Sequence, residues 1–375
     1  MTSDFGVFYH LWSHADQPGE LLDRLIGEVG VDHILVPAIT GPLEQFRVDP
    51  PHPPNLFATG GGWHFPPSAA FYRGVAARPR VARWFGKRDA LARVAASAAQ
   101  RGVTLVCRLD LRDCRPVLDH APHLCMRNAW GDAAPRAGMC VLNPDVRELL
   151  LAAVRDLARY APAAIQLVDW EPDLAADRRN KRPLDHTPAA RTLLDLCFCP
   201  ACRQIALAGG VDPDLVARSV KTHLNHILAD ELDATRTRLE EDDLLAAYVA
   251  VRQQAAATWM REILAHHSEI RWYHERDDSP PALPWSASAA CGPVDWIPVL
   301  RGRGSEADPP REGLPATAGR VLPVWRPFVS RPDQLVRSVA SVARVVRGPI
   351  QFDGIEEAPP EVVDWLRQAL RYARR

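Results

Sequence analysis

Short apolar runs alternate with segments of helical periodicity along most of the chain. A short run rich in branched and aromatic residues predicts a buried strand, and apolar residues spaced three and four apart predict an amphipathic helix. Predicted strands begin near Phe5, Asp32, Val103, Ile165, Glu269, Val294, Arg320 and Pro349. Because these eight runs are mostly apolar on both faces and most are separated by helices, they indicate a parallel sheet closed as a (β/α)8 TIM barrel.

The predicted domain organisation is a single barrel over residues 1–375 with long βα loops. Three stretches, at about 40–87, 111–143 and 171–268, are interpreted as insertions in these loops. The first is rich in Pro and Gly and lacks periodicity, whereas the third has an almost wholly helical pattern from Asp212 to His267. A doubly wound open sheet is the alternative, but the first turn holds no Gly-x-Gly-x-x-Gly phosphate-binding segment.

The 375 residues carry a formal net charge of −1 without any block of like charges. Nucleic acids and membrane surfaces require a concentrated field, so neither is expected as a partner. Met1–Asp4 shows no signal segment, and no apolar run approaches the roughly 20 residues of a spanning helix. We therefore expect a cytoplasmic protein whose clustered cysteines bind metal rather than form disulfides. A homo-oligomer is compatible with this sequence.

Three of the eight cysteines lie within six residues, at the spacing Cys197-x-Cys199-x-x-Cys202. This spacing can fold three thiolates onto one ion, and a structural zinc site takes four cysteine or histidine ligands. Cys140 is the best candidate for the fourth ligand, because its loop opens on the same C-terminal face of a barrel, and Cys125 is the reserve. Four sulfur ligands leave no position for water, so the expected role of Zn2+ is structural. Incidental buried thiols are the alternative, and that interpretation is adopted for Cys107, Cys114 and Cys291.

The strand that begins at Ile165 ends in the sequence Asp-Trp-Glu, so that Asp169 and Glu171 flank a tryptophan. Barrel enzymes carry catalytic groups at the C-terminal ends of their strands, which makes both carboxylates candidates for catalysis. Being two residues apart, they would face the same side of a regular strand and shift each other's pKa. The alternative is that they cap backbone groups or pair with Arg178 or Arg179.

The barrel plan, the carboxylates ending strand four, the cysteine spacing after them and the segment Cys140–Pro144 together resemble glycoside hydrolase family 42 β-galactosidases and related uncharacterised glycosidase-like TIM barrels. In that family a cysteine before helix three joins three cysteines after strand four on one zinc. The resemblance thus implies the ligand set Cys140, Cys197, Cys199 and Cys202. It also implies a small carbohydrate or glycoside as substrate and Glu171 as the general acid/base.

Two departures from that family concern the carboxylates. The chain has Asp-Trp-Glu-Pro where the family shows Asn-Glu, and strand seven has no glutamate to act as the nucleophile of a retaining enzyme. The candidates for the second carboxylate are Asp169, Glu275 on strand five, and Asp353 or Glu356 on strand eight. The Asp-Trp-Glu ending also resembles family 18 chitinases, but other residues occupy the earlier positions of that signature.

Aromatic and histidine residues recur at the predicted strand ends and in the first long loop. Sugars present apolar faces that stack on aromatic rings, so these residues are the predicted substrate-binding set. They are His10, Trp12, Trp63, His64, Trp170, Trp272, His274 and Trp325. Core packing is the alternative for each tryptophan taken singly. A catalytic metal on His10, His14 and Asp110 is a further alternative, although no His-x-His spacing supports it.

The sequence therefore favours a glycosidase-like enzyme acting at the C-terminal face of a barrel. Glu171 is the predicted general acid/base, assisted by Asp169 and by Asp353 or Glu275. Two alternatives stay open. One is a carbohydrate-binding or scaffold barrel that has lost the strand-seven nucleophile and does not catalyse. The other is a hydrolase that uses a second, non-cysteine metal.

Overall fold

The computed structural model describes most of the chain. The described residues are 4–13, 18–48, 55–86, 88–111, 114–133, 138–168, 190, 193–194, 196–229, 242–266, 270–277, 296–301, 319–323, 331–358 and 361–374.

Eight parallel strands form the central sheet. They are β1 (Phe5–Phe8), β2 (His33–Thr40), β3 (Thr104–Leu109), β4 (Ala164–Val168), β5 (Arg271–Asp277), β6 (Trp296–Arg301), β7 (Gly319–Pro323) and β8 (Ile350–Asp353). Each strand pairs in parallel with its neighbours in chain order, and β1 pairs with both β2 and β8, so that the pairings close into a ring. The predicted α/β fold with a curled parallel sheet is confirmed.

Helices connect most of these strands. They are α1 (Pro18–Asp23), which continues as a π-helix over Arg24–Val29, α2 (Ala90–Gln100), α3 (Pro144–Ala158), α4 (Pro200–Ala208), α5 (Pro213–Leu228), α6 (Asp243–His266), α7 (Pro332–Val345) and α8 (Val362–Ala373). Side-chain caps fix several N-termini; Asn143, for example, accepts a hydrogen bond from the Asp145 N–H, and Pro144 occupies the first helical position. Among the described helices, none has the length and apolar character needed to cross a membrane.

Side chains along the strands alternate between the barrel interior and the surrounding helices. A small apolar cluster fills the interior and consists of Phe8, Leu35, Val106, Ala164, Tyr273 and Val321. Their neighbours in sequence, such as Val7, Ile34 and Leu105, belong to the main core that also contains the helix residues. Inside the barrel the buried Gln351 Nε2 donates to Gln166 Oε1 at 2.8 Å, which pairs the two amides across an otherwise apolar interior.

The loop after β2 contains structure that the hydrophobic pattern does not indicate. An antiparallel hairpin joins Leu43–Arg47 to Asn55–Thr59, and the short strand Gly62–Trp63 pairs with the end of β2. Phe46 and Leu56 are exposed in this hairpin, at 53% and 64% of their surface. Because apolar side chains there do not alternate cleanly between core and solvent, the sequence carries no strand period to detect.

The connection from β4 to β5 carries α4, α5 and α6. Their apolar faces form a second hydrophobic cluster, separate from the main core, which includes Phe198, Val216, Val220, Leu245 and Tyr248. The rings of Phe198 and Tyr248 stack at 5.1 Å. The second half of α6 instead joins the main core through Trp259, Met260 and Ile263, so the helical layer is anchored on the barrel at that end.

Gly6 and His33 approach each other closely where β1 pairs with β2. Gly6 lies opposite His33 in the β1–β2 register, and a Cβ at position 6 would lie 1.9 Å from His33 Nε2. The His33 ring is buried and held by Asp4, 3.1 Å away, so it has little room to withdraw. We expect Gly6→Ala to lower the free energy of unfolding by about 1–3 kcal/mol in urea denaturation.

Gly27→Ala is the matched control for this substitution. No atom lies within 4 Å of a Cβ built at Gly27, which sits in a helical segment where alanine is preferred. Equal stability changes at the two positions would contradict the packing described here.

Candidate functional site

Four cysteine side chains form a compact group beneath the loops that follow β3 and β4. The Sγ atoms of Cys140, Cys197, Cys199 and Cys202 all lie within 4.8 Å of one another, and all four residues are buried. The Cys140 and Cys202 sulfurs are 3.5 Å apart, and all four cysteines are free thiols. The structure thus brings together the four residues that the sequence predicts as a ligand set.

Local backbone structure places these sulfurs. Cys199 precedes Pro200, which occupies the first position of α4 and starts that helix. The Cys140 N–H donates to a carbonyl oxygen of the loop after β3 at 2.9 Å. The N–H groups of Arg127 and Cys199 point at Cys197 Sγ, at 3.4 and 3.5 Å. Such donors stabilise negative charge on a sulfur atom.

The donor set fits a tetrahedral, thiophilic metal ion. With metal–sulfur bonds of about 2.3 Å, neighbouring sulfurs in a tetrahedron lie about 3.8 Å apart, which is compatible with the spacing here. Hydrogen bonds from the other three cysteines lower the pKa of Cys199, whereas hydrogen bonding within the group raises the pKa of Cys140 well above its usual range. The group can therefore hold a metal ion through four sulfur atoms.

Three further described cysteines lie outside this group. Cys107, Cys114 and Cys125 are buried. Burial raises the pKa of Cys107 to about 12, so that this thiol stays protonated and inert. Cys125, the reserve ligand, takes no part in the cluster, and Cys291 lies outside the described residues.

A second polar group lies where β1 and β8 end. His10 follows β1, and its backbone N–H and its Nδ1 both contact Glu356 Oε1, at 3.2 and 3.0 Å. Glu356 is fully buried on the 3-10 turn Ile355–Glu357 that follows β8. Burial disfavours the imidazolium, but the Glu356 carboxylate outweighs this effect and raises the pKa of His10. The environment thus favours a buried ion pair.

Two further carboxylates belong to this group. Asp353 is the last residue of β8, and strand alternation puts its side chain on the same face as Gln351, which points into the barrel. The half-buried Glu357 lies on the turn that follows. Burial and then the charge of Asp353 raise the pKa of Glu357 to about 7, against the opposing effect of a hydrogen bond with Gln45. This carboxyl therefore changes charge near neutral pH.

The hairpin after β2 positions Gln45 in this group. Trp12 Nε1 donates to Gln45 Oε1 at 2.7 Å, which leaves the amide N–H groups for neighbouring acceptors. Arg47 Nη1 donates to the Trp12 carbonyl oxygen at 3.0 Å, and the Val48 N–H donates to the Glu356 carbonyl oxygen at 3.0 Å. The hairpin is thereby bonded both to the end of β1 and to the turn after β8.

Aromatic rings surround Trp12 at this end of the barrel. The indole stacks on Phe57 at 5.5 Å, and the rings of His10 and His64 lie 4.7 and 4.8 Å from it. Trp84 Nε1 donates to His64 Nδ1 at 2.8 Å, so the His64 proton resides on Nε2, which faces a threonine hydroxyl. Burial and the charge of His10 lower the pKa of His64 to about 3 and keep this ring neutral.

The structure brings only part of the predicted site together. The residues that meet at the ends of β1 and β8 are His10, Trp12, His64 and Asp353. Trp63 and Trp272 are instead buried in the main core. The Trp63 indole donates to Tyr72 Oη at 3.0 Å, which satisfies its only donor.

The other predicted residues fall wholly or partly outside the part of the chain that the structure describes. Asp169, Trp170, Glu171, Trp325 and His14 lie outside the described residues, as do the side chains of His274 and Glu275 on β5. The backbone register sets Glu275 opposite Val168, at the C-terminal end of β4. The roles assigned to these residues stay predictions.

Sequence reasoning misses Gln45, Trp84 and Glu357. Gln45 and Trp84 come from the long segment without periodicity, and only the tertiary fold brings them to the end of β1. Glu357 had a detectable signal, because two consecutive glutamates directly follow a strand that ends in Asp353.

No family model matches the chain, and no curated protein matches its sequence. Among solved structures, α-L-fucosidase isoenzyme 2 from Paenibacillus thiaminolyticus superposes with a TM-score of 0.50 at 14% identity, over 100% of this chain and 49% of the fucosidase chain. The β-galactosidase from Halorubrum lacusprofundi gives 0.52 at 12% identity, over 98% of this chain and 57% of that one. The β-galactosidase from Rahnella sp. R3 gives 0.52 at 9% identity, over 100% and 56%.

The chain spans about half the length of these three proteins. At such low identity the likeness concerns the fold alone, and it shows that the chain has a glycosidase-like barrel fold.

The cysteine group predicts a bound metal. We expect the purified chain to carry a metal ion in equimolar amount, because four buried sulfurs at this spacing are stabilised by coordination. Elemental analysis should show that Cys199→Ser lowers the metal content, whereas Cys107→Ala, which changes a buried thiol outside the group, retains it. Equal metal contents in the two variants would contradict the assignment.

The raised pKa of Glu357 predicts a pH dependence of stability. The folded chain holds this proton more tightly than the unfolded chain, so the free energy of unfolding contributed by Glu357 falls as the pH rises from 4.5 to about 7. Urea denaturation over this range should show wild type losing stability relative to Glu357→Gln. The exposed Glu361→Gln serves as control, and a wild-type-to-Glu357→Gln difference that is constant with pH would refute the environment described for Glu357.

Proposed function

We propose that the chain is a glycoside hydrolase-like enzyme that acts on a carbohydrate at the C-terminal end of its barrel. The observation that carries this proposal is the group formed by His10, Asp353, Glu356 and Glu357 beside the Trp12 ring. It lies at the C-terminal ends of β1 and β8, where barrel enzymes hold their catalytic residues. The fold shared with a fucosidase and two β-galactosidases supports a carbohydrate substrate.

Glycoside cleavage uses two carboxyl groups, one that protonates the leaving oxygen and one that attacks or activates water. We assign the general acid/base role to Glu171, as the resemblance to family 42 implies, and the second carboxylate to Asp353. Asp169 and Glu275 are the other assisting candidates. Glu356 is fully buried and paired with His10, so its role is to hold that imidazole in position.

Glu357 sets the charge of the site in this proposal. Its pKa of about 7 leaves it partly protonated at neutral pH, so the negative charge next to Asp353 varies with pH. When Glu357 is protonated, it places no negative charge beside Asp353. When it is ionised, its negative charge repels that of Asp353.

Aromatic residues would bind the apolar faces of the sugar. Trp12 and His10 are the described members of this set that lie beside the carboxylates, and because both are buried against other rings they would shape the base of the site rather than present an open ring face. Trp170, His274 and Trp325 complete the predicted set. His64 acts through Trp12, because its ring packs against that indole and stays neutral.

We further propose that the metal held by Cys140, Cys197, Cys199 and Cys202 is zinc. Four thiolates favour Zn2+ among the common divalent ions, and the resemblance to family 42 implies the same ligand set. Because four sulfurs complete a tetrahedral shell, the ion would stabilise the loops around it and take no part in the reaction.

A non-catalytic carbohydrate-binding barrel is the second candidate function. The observation in its favour is the sequence of β7, Gly319–Pro323, which contains no carboxylate where a retaining enzyme of this type carries its nucleophile. Such a barrel would bind sugars through the same aromatic group without turning them over.

Hydrolysis of a panel of nitrophenyl glycosides tests the catalytic proposal. We expect turnover of at least one glycoside, and a fall in kcat of about 100-fold or more in Glu171→Gln and in Asp353→Asn. Glu148→Gln, an exposed carboxylate on α3, is the control that should leave kcat unchanged.

Each outcome decides between the candidates. Unchanged activity in Glu171→Gln would overturn the assignment of that residue. Sugar binding in calorimetry without turnover of any glycoside would favour the non-catalytic barrel.

A further inference from the structure

A groove of about 520 Å3 lies beside the cysteine group, between the loop after β3 and the helices α4 and α5. This volume falls within the range of about 300–1,000 Å3 typical of small-molecule sites. The residues that give it chemical character are Arg127, Trp130, Arg203, Asp214, Arg218 and Lys221. None of them belongs to the group at the ends of β1 and β8.

The groove is strongly cationic on a chain whose formal net charge is only −1. Its lining holds four cationic side chains and one carboxylate. Asp214 pairs with Arg203 at 2.8 Å, and this hydrogen bond, followed by the charges of Arg203 and Arg218, lowers the pKa of Asp214. Asp214 thus balances the charge of Arg203, and the lining keeps a net positive charge from Arg127, Arg218 and Lys221. A concentrated positive field of this kind attracts anions.

An exposed indole completes the groove. Trp130 has 52% of its surface exposed, although tryptophan side chains are highly buried on average. The Lys221 ammonium lies 5.7 Å from the centre of its ring, so aromatic surface and positive charge occur together. This combination suits a ligand that has both an apolar face and a negative charge.

The groove is built on the cysteine group. The Arg127 N–H points at Cys197 Sγ, and the Phe198 N–H donates to the Arg127 carbonyl oxygen at 2.7 Å. Phe198 itself lines the groove, and Pro200, which starts α4 directly after Cys199, also lines it. Both walls leave the barrel through loops that follow strands β3 and β4. In a barrel these loops emerge on the C-terminal face, which is also the face of the proposed catalytic site.

We propose that this groove is a second binding site, for an acidic oligosaccharide whose sugar rings carry carboxylates. One pyranose ring stacks on Trp130, and the carboxylates of successive rings pair with Arg127, Arg218 and Lys221. The choice of a sugar among anionic ligands rests on the proposed function. A nucleic acid fits less well, because single-stranded binding uses an extended basic path with several stacking rings, and the groove lining contains a single exposed indole.

Calorimetric titration with tetragalacturonate tests the proposal, with a neutral galactose tetrasaccharide as the comparison ligand. We expect tetragalacturonate alone to bind, with an affinity that falls as salt is added. Trp130→Ala should weaken binding about 10-fold, and Arg218→Gln or Lys221→Gln about 5-fold each. Tyr372→Ala and Arg344→Gln are matched controls, since Tyr372 is as exposed as Trp130, at 53%, and Arg344 is an exposed cation on α7.

The remaining outcomes each overturn the proposal. Equal binding of the neutral tetrasaccharide would remove the role of charge, and no binding at all would remove the site. Tighter binding of a single-stranded oligonucleotide than of tetragalacturonate would assign the groove to nucleic acid.

The glycoside panel separates this proposal from the catalytic one. Asp353→Asn should leave tetragalacturonate binding unchanged, because Asp353 does not line the groove. Binding without any glycosidase activity would leave the groove standing while the catalytic proposal fails, and activity without binding would do the reverse.

Discussion

Strand β1 pairs with β2 on one side and with β8 on the other, and the rest of the molecule depends on this double pairing. Because all strands in the ring are parallel, their C-terminal ends share one face. The two ends of the chain therefore meet there, and His10 contacts Glu356 across 346 positions of sequence. At the other end of the barrel β1 and β2 approach closely. Position 6 is glycine there because no side chain fits beside the His33 ring.

Closure of the strand ring also determines the electrostatics of the proposed catalytic site, because it brings the end of β1 next to the end of β8. Three carboxyl groups and one imidazole share a small, partly desolvated space, and they cannot all be ionised without cost. The fully buried Glu356 pairs with His10. The half-buried Glu357 lies beside Asp353, and its pKa is about 7. His64 stays neutral because burial disfavours its charged form and because a second imidazolium near His10 would be unfavourable. The arrangement places a carboxyl group that titrates near neutral pH beside a buried ion pair.

Part of the fold and part of the candidate site are predictable from the sequence, for physical reasons that differ between elements. Strands buried on both faces leave continuous apolar runs, so the parallel sheet was predictable. Cys140 could be predicted to join the other three cysteines because barrel topology brings the loops after β3 and β4 together. Gln45 and Trp84 could not be predicted as site residues, because their segment has no hydrophobic periodicity and its contacts are long-range. Trp272 lies on the same strand as Tyr273 and on the opposite face, and a strand-end position alone does not reveal which face is inward.

The cysteine group links the barrel to the helices inserted after β4. The second half of α6 packs into the main core and contacts α3 through Trp259 and Glu262, whereas α5 and the first half of α6 bury their apolar faces in a cluster of their own. The cysteines add a direct connection between α4 and the loop after β3. Cys140 is bonded to the loop after β3, Cys199 starts α4, and Tyr248 Oη on α6 donates to the Cys197 carbonyl oxygen at 2.7 Å. A metal held by these sulfurs would convert its binding energy into the fixed placement of both walls of the cationic groove. Such a metal would act on function through geometry alone. Its loss would disorganise the groove first, while the ion pair between His10 and Glu356, which is held by strand pairing, would persist.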